Sequence, residues 1–226
     1  MDKKAFTLAE VLITLGIIGV VAALTMSSLI AKHQKKQTVV RLKKAYSLQA
    51  QAYIMSEVEN ASADGWPNLN DPNPAVIFAN LNQYFFPYFK TIKTCSTTNL
   101  KECGVAERYY ALNGGPAYAS SSNVRAAAVL ADGTTIFYTF NDVNRITTHI
   151  DVNGSAPPNR HGRDVFRIQD FYYNGRSGYY VAGQGLAREE LMSGAAQYAC
   201  NKSQEGYHCA TLIMQDGWQI KDDYPW

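Results

Sequence analysis

Between Thr7 and Ala31 the chain is apolar almost throughout, and Glu10 is the one charged side chain in that stretch. Residues 11–31 read VLITLGIIGVVAALTMSSLIA and carry no charge. A helix rises about 1.5 Å per residue, so this run is long enough to cross a hydrocarbon layer of about 30 Å. A lone carboxylate near the end of such a segment costs free energy in lipid, which makes it a functional candidate in need of a partner. A secretory signal would be shorter and would carry its small-residue cleavage site beyond the apolar stretch, whereas here the polar mark lies at the other end. The pattern then changes. From Gln34 to Glu59 there is no Gly or Pro, and Val39, Leu42, Tyr46, Gln49 and Tyr53 recur at helical spacing. Val40, Ala45 and Leu48 widen that stripe, while Lys35, Lys36, Arg41, Lys43 and Lys44 fall largely on other faces. The two patterns together predict one helix, apolar over residues 6–31 and amphipathic over 32–60, with a length of roughly 75 Å.

Gly65, Pro67, Pro72 and Pro74 end that helix near Asn60. Residues 75–90, AVIFANLNQYFFPYFK, predict a short helix that stops before Pro87. In AAAVLADGTTIFYTF, two apolar runs flank Asp132-Gly133, a hairpin signal. ITTHIDVNG alternates as a third strand, with Ile146, Thr148 and Ile150 on one face, and residues 164–169 offer a fourth. A helix around Leu186–Cys200 and a terminal loop complete the reading. The expected fold class is α+β: a long N-terminal helix, membrane-spanning in its first half, packed by its second half on an antiparallel β-sheet head formed by residues 61–226.

Charge and cysteine content narrow the function. The 226 residues balance 21 Lys and Arg against 19 Asp and Glu, a net charge of +2. The local excess sits on one helix without interleaved aromatics, so no specific nucleic-acid partner is expected. The four cysteines form two close pairs, Cys95 with Cys103 and Cys200 with Cys209. Four cysteines allow three pairings; local pairing is the simplest, each closing a loop of about ten residues worth roughly 2.7 kcal/mol on the chain-entropy model. Such bonds persist in an oxidising compartment. A zinc site from Cys200, His208 and Cys209 is the rival reading, with a spacing unlike the standard ones. His33, His149, His161 and His208 are scattered, and no nucleophile-elbow, zinc-protease or phosphate-loop pattern occurs, so no catalysis is expected.

The segment KKAFTLAEVLI resembles the processing site of type IV pilins and type II secretion pseudopilins. Lys3, Lys4, Ala5, Phe6, Thr7, Leu8 and Glu10 carry the likeness. Ala5 stands where that family usually has Gly, and the Pro often found about twenty residues into the mature helix has no counterpart at Thr25–Ser28. The resemblance implies a leader, residues 1–5, removed by a prepilin peptidase between Ala5 and Phe6, with N-methylation of Phe6. It also implies that Glu10 of one subunit meets the Phe6 amine of a neighbour and sets axial register. The expected function is then a pilin-like structural subunit of a type II secretion pseudopilus or type IV pilus. Its partners would be homologous subunits, an inner-membrane assembly platform and membrane lipid. The alternative is an uncleaved single-pass protein with an extracytoplasmic ligand-binding head. The positive-inside rule alone would put the Lys32–Lys44 flank in the cytoplasm. The resemblance places the amino terminus there and the head outside the bacterial inner membrane, and the cysteines side with the resemblance. DVNGSAPPNRHGRDVFRI and the ending DGWQIKDDYPW also resemble pseudopilin heads, some of which bind calcium in this part. Asp151, Asn153 and Asp164 could offer it oxygen ligands, and an Asx-type turn before Gly154 is the alternative.

Overall fold

The structure is a computed structural model describing residues 7–66, 71, 73–120, 122–141, 145–168, 172–173, 176–177 and 180–226. The chain forms two compact units, Met1–Gln37 and Thr38–Trp226. A 53-residue helix, α1 (Leu8–Asn60), runs through both.

In the first unit no described side chain is buried within the chain itself, and the helix is long and apolar enough to cross a membrane. The few hydroxyls in it are satisfied locally. Thr14 Oγ1 donates to the Glu10 carbonyl at 2.9 Å, Thr25 Oγ1 to Val21 at 2.9 Å, and Ser28 Oγ to Thr25 at 3.0 Å. Folding back on carbonyls three or four residues earlier lets Thr and Ser sit in an apolar helix without stranding a polar group.

The second unit is built on a five-stranded antiparallel sheet, with order β1 (Thr91–Ser96), β4 (Val124–Leu130), β5 (Thr135–Asn141), β6 (Arg145–Asp151), β7 (Val165–Ile168). Two small ribbons accompany it: β2 (Arg108–Tyr110) with β3 (Pro116–Ser120), and β8 (Tyr172–Tyr173) with β9 (Arg176–Ser177). The β4–β5 hairpin turns at Asp132-Gly133, where Gly133 has φ +81°, a conformation that Gly adopts without steric cost. Thr134 N donates to Asp132 Oδ1 at 3.1 Å and closes the turn. In strands, side chains alternate between faces, so the sheet presents two apolar surfaces. Ile136, Tyr138, Ile150, Phe166 and Ile168 pack with Val39, Leu42, Ala45 and Tyr53 of α1. Ile77 and Leu81 of α2 (Pro74–Tyr84) join the same core. The opposite face gathers Ala127, Phe137 and Val165 with Leu100, Val105 and Tyr109.

Polar contacts fix α1 on the head. Arg41 Nη1 donates to the Val152 carbonyl at 2.8 Å, and Lys44 meets Asp132 at 2.7 Å. α2 starts with Pro74 in its first turn and Asn73 as cap, whose side chain accepts from Ala75 N at 3.0 Å. Both cysteine pairs are local disulfides, Cys95–Cys103 and Cys200–Cys209.

The region expected as a helix at 186–200 is one turn, α3 (Arg188–Leu191), after which Ser193-Gly194 leads into an irregular loop. The expected terminal loop contains a helix, α4 (Cys209–Gln215). Residues from Cys209 to Ile213 are all buried there, so that run has no polar face for periodicity to reveal.

Candidate functional site: the start of the apolar helix and the Asp151–Asp164 loop

Two places carry the functional residues expected from the sequence. At the first, Thr7 precedes α1 and Glu10 lies in its first turn. The Thr7 backbone N–H and hydroxyl both donate to Glu10 Oε2 at 2.8 Å, and Glu10 N donates to Thr7 Oγ1 at 3.3 Å. This is a reciprocal capping box: the side chains at cap and third helical position satisfy each other's backbone donors. A carboxylate in the first turn also complements the positive end of the helix dipole. Glu10 is therefore engaged inside its own chain. Thr7 is the partner that the sequence reading passed over, although T-L-A-E has the S/T-x-x-E spacing that announces it. Ala5 and Phe6, the expected processing residues, lie outside the described residues. Gly16 and Gly19 further along have nothing within 4 Å of where a Cβ would stand.

The second place is the loop between β6 and β7, where the structure brings Asp151, Asn153 and Asp164 together. Asp151 Oδ1 accepts from Asn153 N at 3.2 Å, the Asx-type closure. Asn153 Nδ2 donates to the Ala156 carbonyl at 3.0 Å. Asp164 accepts from the backbone N–H groups of Arg160 at 2.7 Å and Asn159 at 2.8 Å. Asp164 thus pins the loop across its mouth. Burial first, and then the charge of Asp164, push the Asp151 carboxyl well above the ordinary carboxylate range. Burial also raises Asp164, while the Arg160 and Asn159 N–H groups pull it back. Among the described residues no three His, Cys, Asp or Glu side chains are grouped as a metal site. Cys200 and Cys209 are bonded to each other, which removes them as the zinc ligands of the rival sequence reading.

A cleft of about 330 Å³ lies between α1 and α4, lined by Tyr46, Val181, Gln184, Thr211 and Met214 among others, and no carboxylate, imidazole or thiol lines it. Thr211 Oγ1, its one hydroxyl besides Tyr46, donates to the Ala182 carbonyl at 2.6 Å.

Residues 28–226 match a family model described as "Family of unknown function (DUF6613)". Residues 1–26 match the prokaryotic N-terminal methylation motif, the type IV pilin and pseudopilin signature. No curated protein and no solved structure matches the chain.

Proposed function

The chain belongs to DUF6613, a family of unknown function, and bears the pilin-type methylation motif, and from these premises we propose that it is a structural subunit of a type IV pilus or type II secretion pseudopilus. The observation that carries the reading is a single carboxylate, Glu10, in the first turn of a helix whose next 21 residues carry no charge, within the span that the methylation motif matches. A prepilin peptidase cuts between Ala5 and Phe6 and methylates the new amine. The head lies outside the inner membrane, where its disulfides persist. The subunit waits in the bilayer through α1 and then enters a bundle of sister helices.

In that bundle the Phe6 amine of one subunit replaces Thr7 as the partner of a neighbour's Glu10. Opposite charges attract strongly where the dielectric is low, and either one alone is heavily penalised. One polar pair in an apolar seam can set register, as a buried Asn does in a coiled coil. Intact mass of the protein isolated from cells tests processing: the species expected lacks residues 1–5 and carries one added methyl. Recovery at full length, starting at Met1, overturns the reading. For assembly, Glu10→Gln keeps shape and removes charge. Filament yield should fall at least tenfold, and wild-type yield would remove electrostatic pairing from the mechanism.

A further inference from the structure

On the sheet face turned away from α1, a line of rings crosses the strands. Phe137 lies parallel to His149 at 4.8 Å and 6°, and His149 meets His161 at 5.5 Å. His161 stands edge-on to Tyr207 at 4.7 Å and 79°. Both imidazoles are buried. His149 Nε2 is 3.1 Å from Thr139 Oγ1. Neither ring nitrogen of His161 has a hydrogen-bond partner among the described residues.

His161 also sits where several segments join. Its N–H donates to the Tyr110 carbonyl at 2.8 Å, and Tyr110 N donates to Asn159 at 2.8 Å. Two residues on, Leu112 N donates to Glu205 and Asn113 N to Gln204, each at 3.0 Å. Those two segments are pressed together: a Cβ on Gly206 would come within 2.6 Å of Leu112 Cβ. Segment 108–113 is therefore bonded to the backbone at His161 and to segment 198–209, whose Tyr207 packs on the His161 ring.

Among the described residues, the charge that acts on this ring is positive. From β6 comes His149, and from β7 Arg167, whose guanidinium lies 5.0 Å over the Tyr207 ring. His208, in the 198–209 segment, is likewise held below the ordinary histidine range, by burial first and then by Arg167. The nearby carboxyls, Asp151 and Asp164, act on each other and on Tyr109. A proton on His161 would create a buried cation beside Arg167, with two N–H donors and no acceptor among the described residues. Such a group is strongly disfavoured until water reaches it.

We propose that the uncharged His161 ring is an acid-sensitive latch: it holds segments 108–113 and 198–209 to the sheet, and its protonation frees them while β4 to β7 stay paired. This inference does not depend on filament assembly. Hydrogen exchange followed by mass spectrometry on the full chain in detergent micelles, from pH 7.5 to 4.5 and corrected for intrinsic rates, tests it. Peptides from the two segments should lose at least about tenfold in protection per pH unit below about 6.5, the slope of the one proton His161 takes up on opening, with His208 adding to it in the 198–209 peptides. Peptides from β4 and β5 should keep theirs. In His161→Phe the dependence should lose the slope of one proton, flattening in the 108–113 peptides and leaving in the 198–209 peptides what His208 contributes. Equal loss across all peptides, or an unchanged slope in His161→Phe, overturns the proposal. Should that variant fail to unfold cooperatively at pH 7.5, Arg167→Met decides: with the repelling cation gone the folded ring accepts a proton more readily, so the loss must level off at a higher pH and be smaller in total, and an unmoved levelling-off overturns the latch. Asp151 and Asp164, raised by burial, favour the folded state in acid and so cannot produce the expected loss.

Discussion

Thr7 and Glu10 show how much a single residue's meaning depends on its neighbours. A carboxylate in an apolar run points outward to another chain, yet in the isolated chain two donors from Thr7 already serve it. Thr7→Ala should loosen the first turn of α1 by about 1 kcal/mol, the usual worth of a cap, seen as faster amide exchange at residues 8–11 in micelles. Asp164 offers a second residue-scale test. Asp164→Ala strands the N–H groups of Asn159 and Arg160, and should cost about 1–3 kcal/mol in thermal unfolding. The sequence made Glu10 legible because a charge is conspicuous among apolar residues. It hid the burial of His161, because a histidine in a polar loop, NRHGRD, looks solvated until the fold closes over it.

Elements were legible where periodicity and turn chemistry agreed. The β4–β5 hairpin follows from Asp132-Gly133, and the pairing Phe137↔His149 puts the expected Ile150 and Thr148 on the α1 side. β1 escaped notice because TIKTCS is an edge strand, its Ile92 exposed and only Cys95 buried. α4 escaped because a seven-residue helix with its first five side chains buried shows no polar stripe. The spacing of the cysteines left three pairings open, and the fold closes the two local ones. The Cys200–Cys209 bridge ties the irregular 198–209 segment to the first residue of α4. Replacing both by Ser should lower head stability by roughly 2–3 kcal/mol in urea, with the midpoint shifting and the slope nearly unchanged.

At the scale of the whole molecule, among the described residues, the buried part of α1 begins at Thr38 and the first unit contributes no buried side chain. Residues 38–226 exported to an oxidising compartment should therefore unfold in one cooperative calorimetric transition. The pH dependence of that transition has a definite sign. Burial, with Arg167 beside them, holds His149, His161 and His208 below the ordinary histidine range, His161 at about 3. A base kept neutral when folded takes its proton on unfolding, so this stability is complete above about 6.5 and is lost as pH falls toward the folded value. With three imidazoles set against the opposite pull of Asp151 and Asp164, whose raised carboxyls favour the folded state in acid, the Tm should fall on acidification from pH 7 to 4. The membrane helix was plain in the sequence because length and hydropathy suffice for it. The two-faced head was harder to see, since which side of a strand meets α1 is decided by register, which no single segment encodes.

The Thr7–Glu10 capping box has one more consequence. A stored subunit has no naked anion waiting in the lipid, so on the assembly reading growth at a filament base is a swap: one set of donors is given up as another arrives. The ion pair gained is offset in part by the Thr7 bonds given up, so its net pull is smaller than the pair alone would supply, and helix packing and the assembly machinery share in setting the direction.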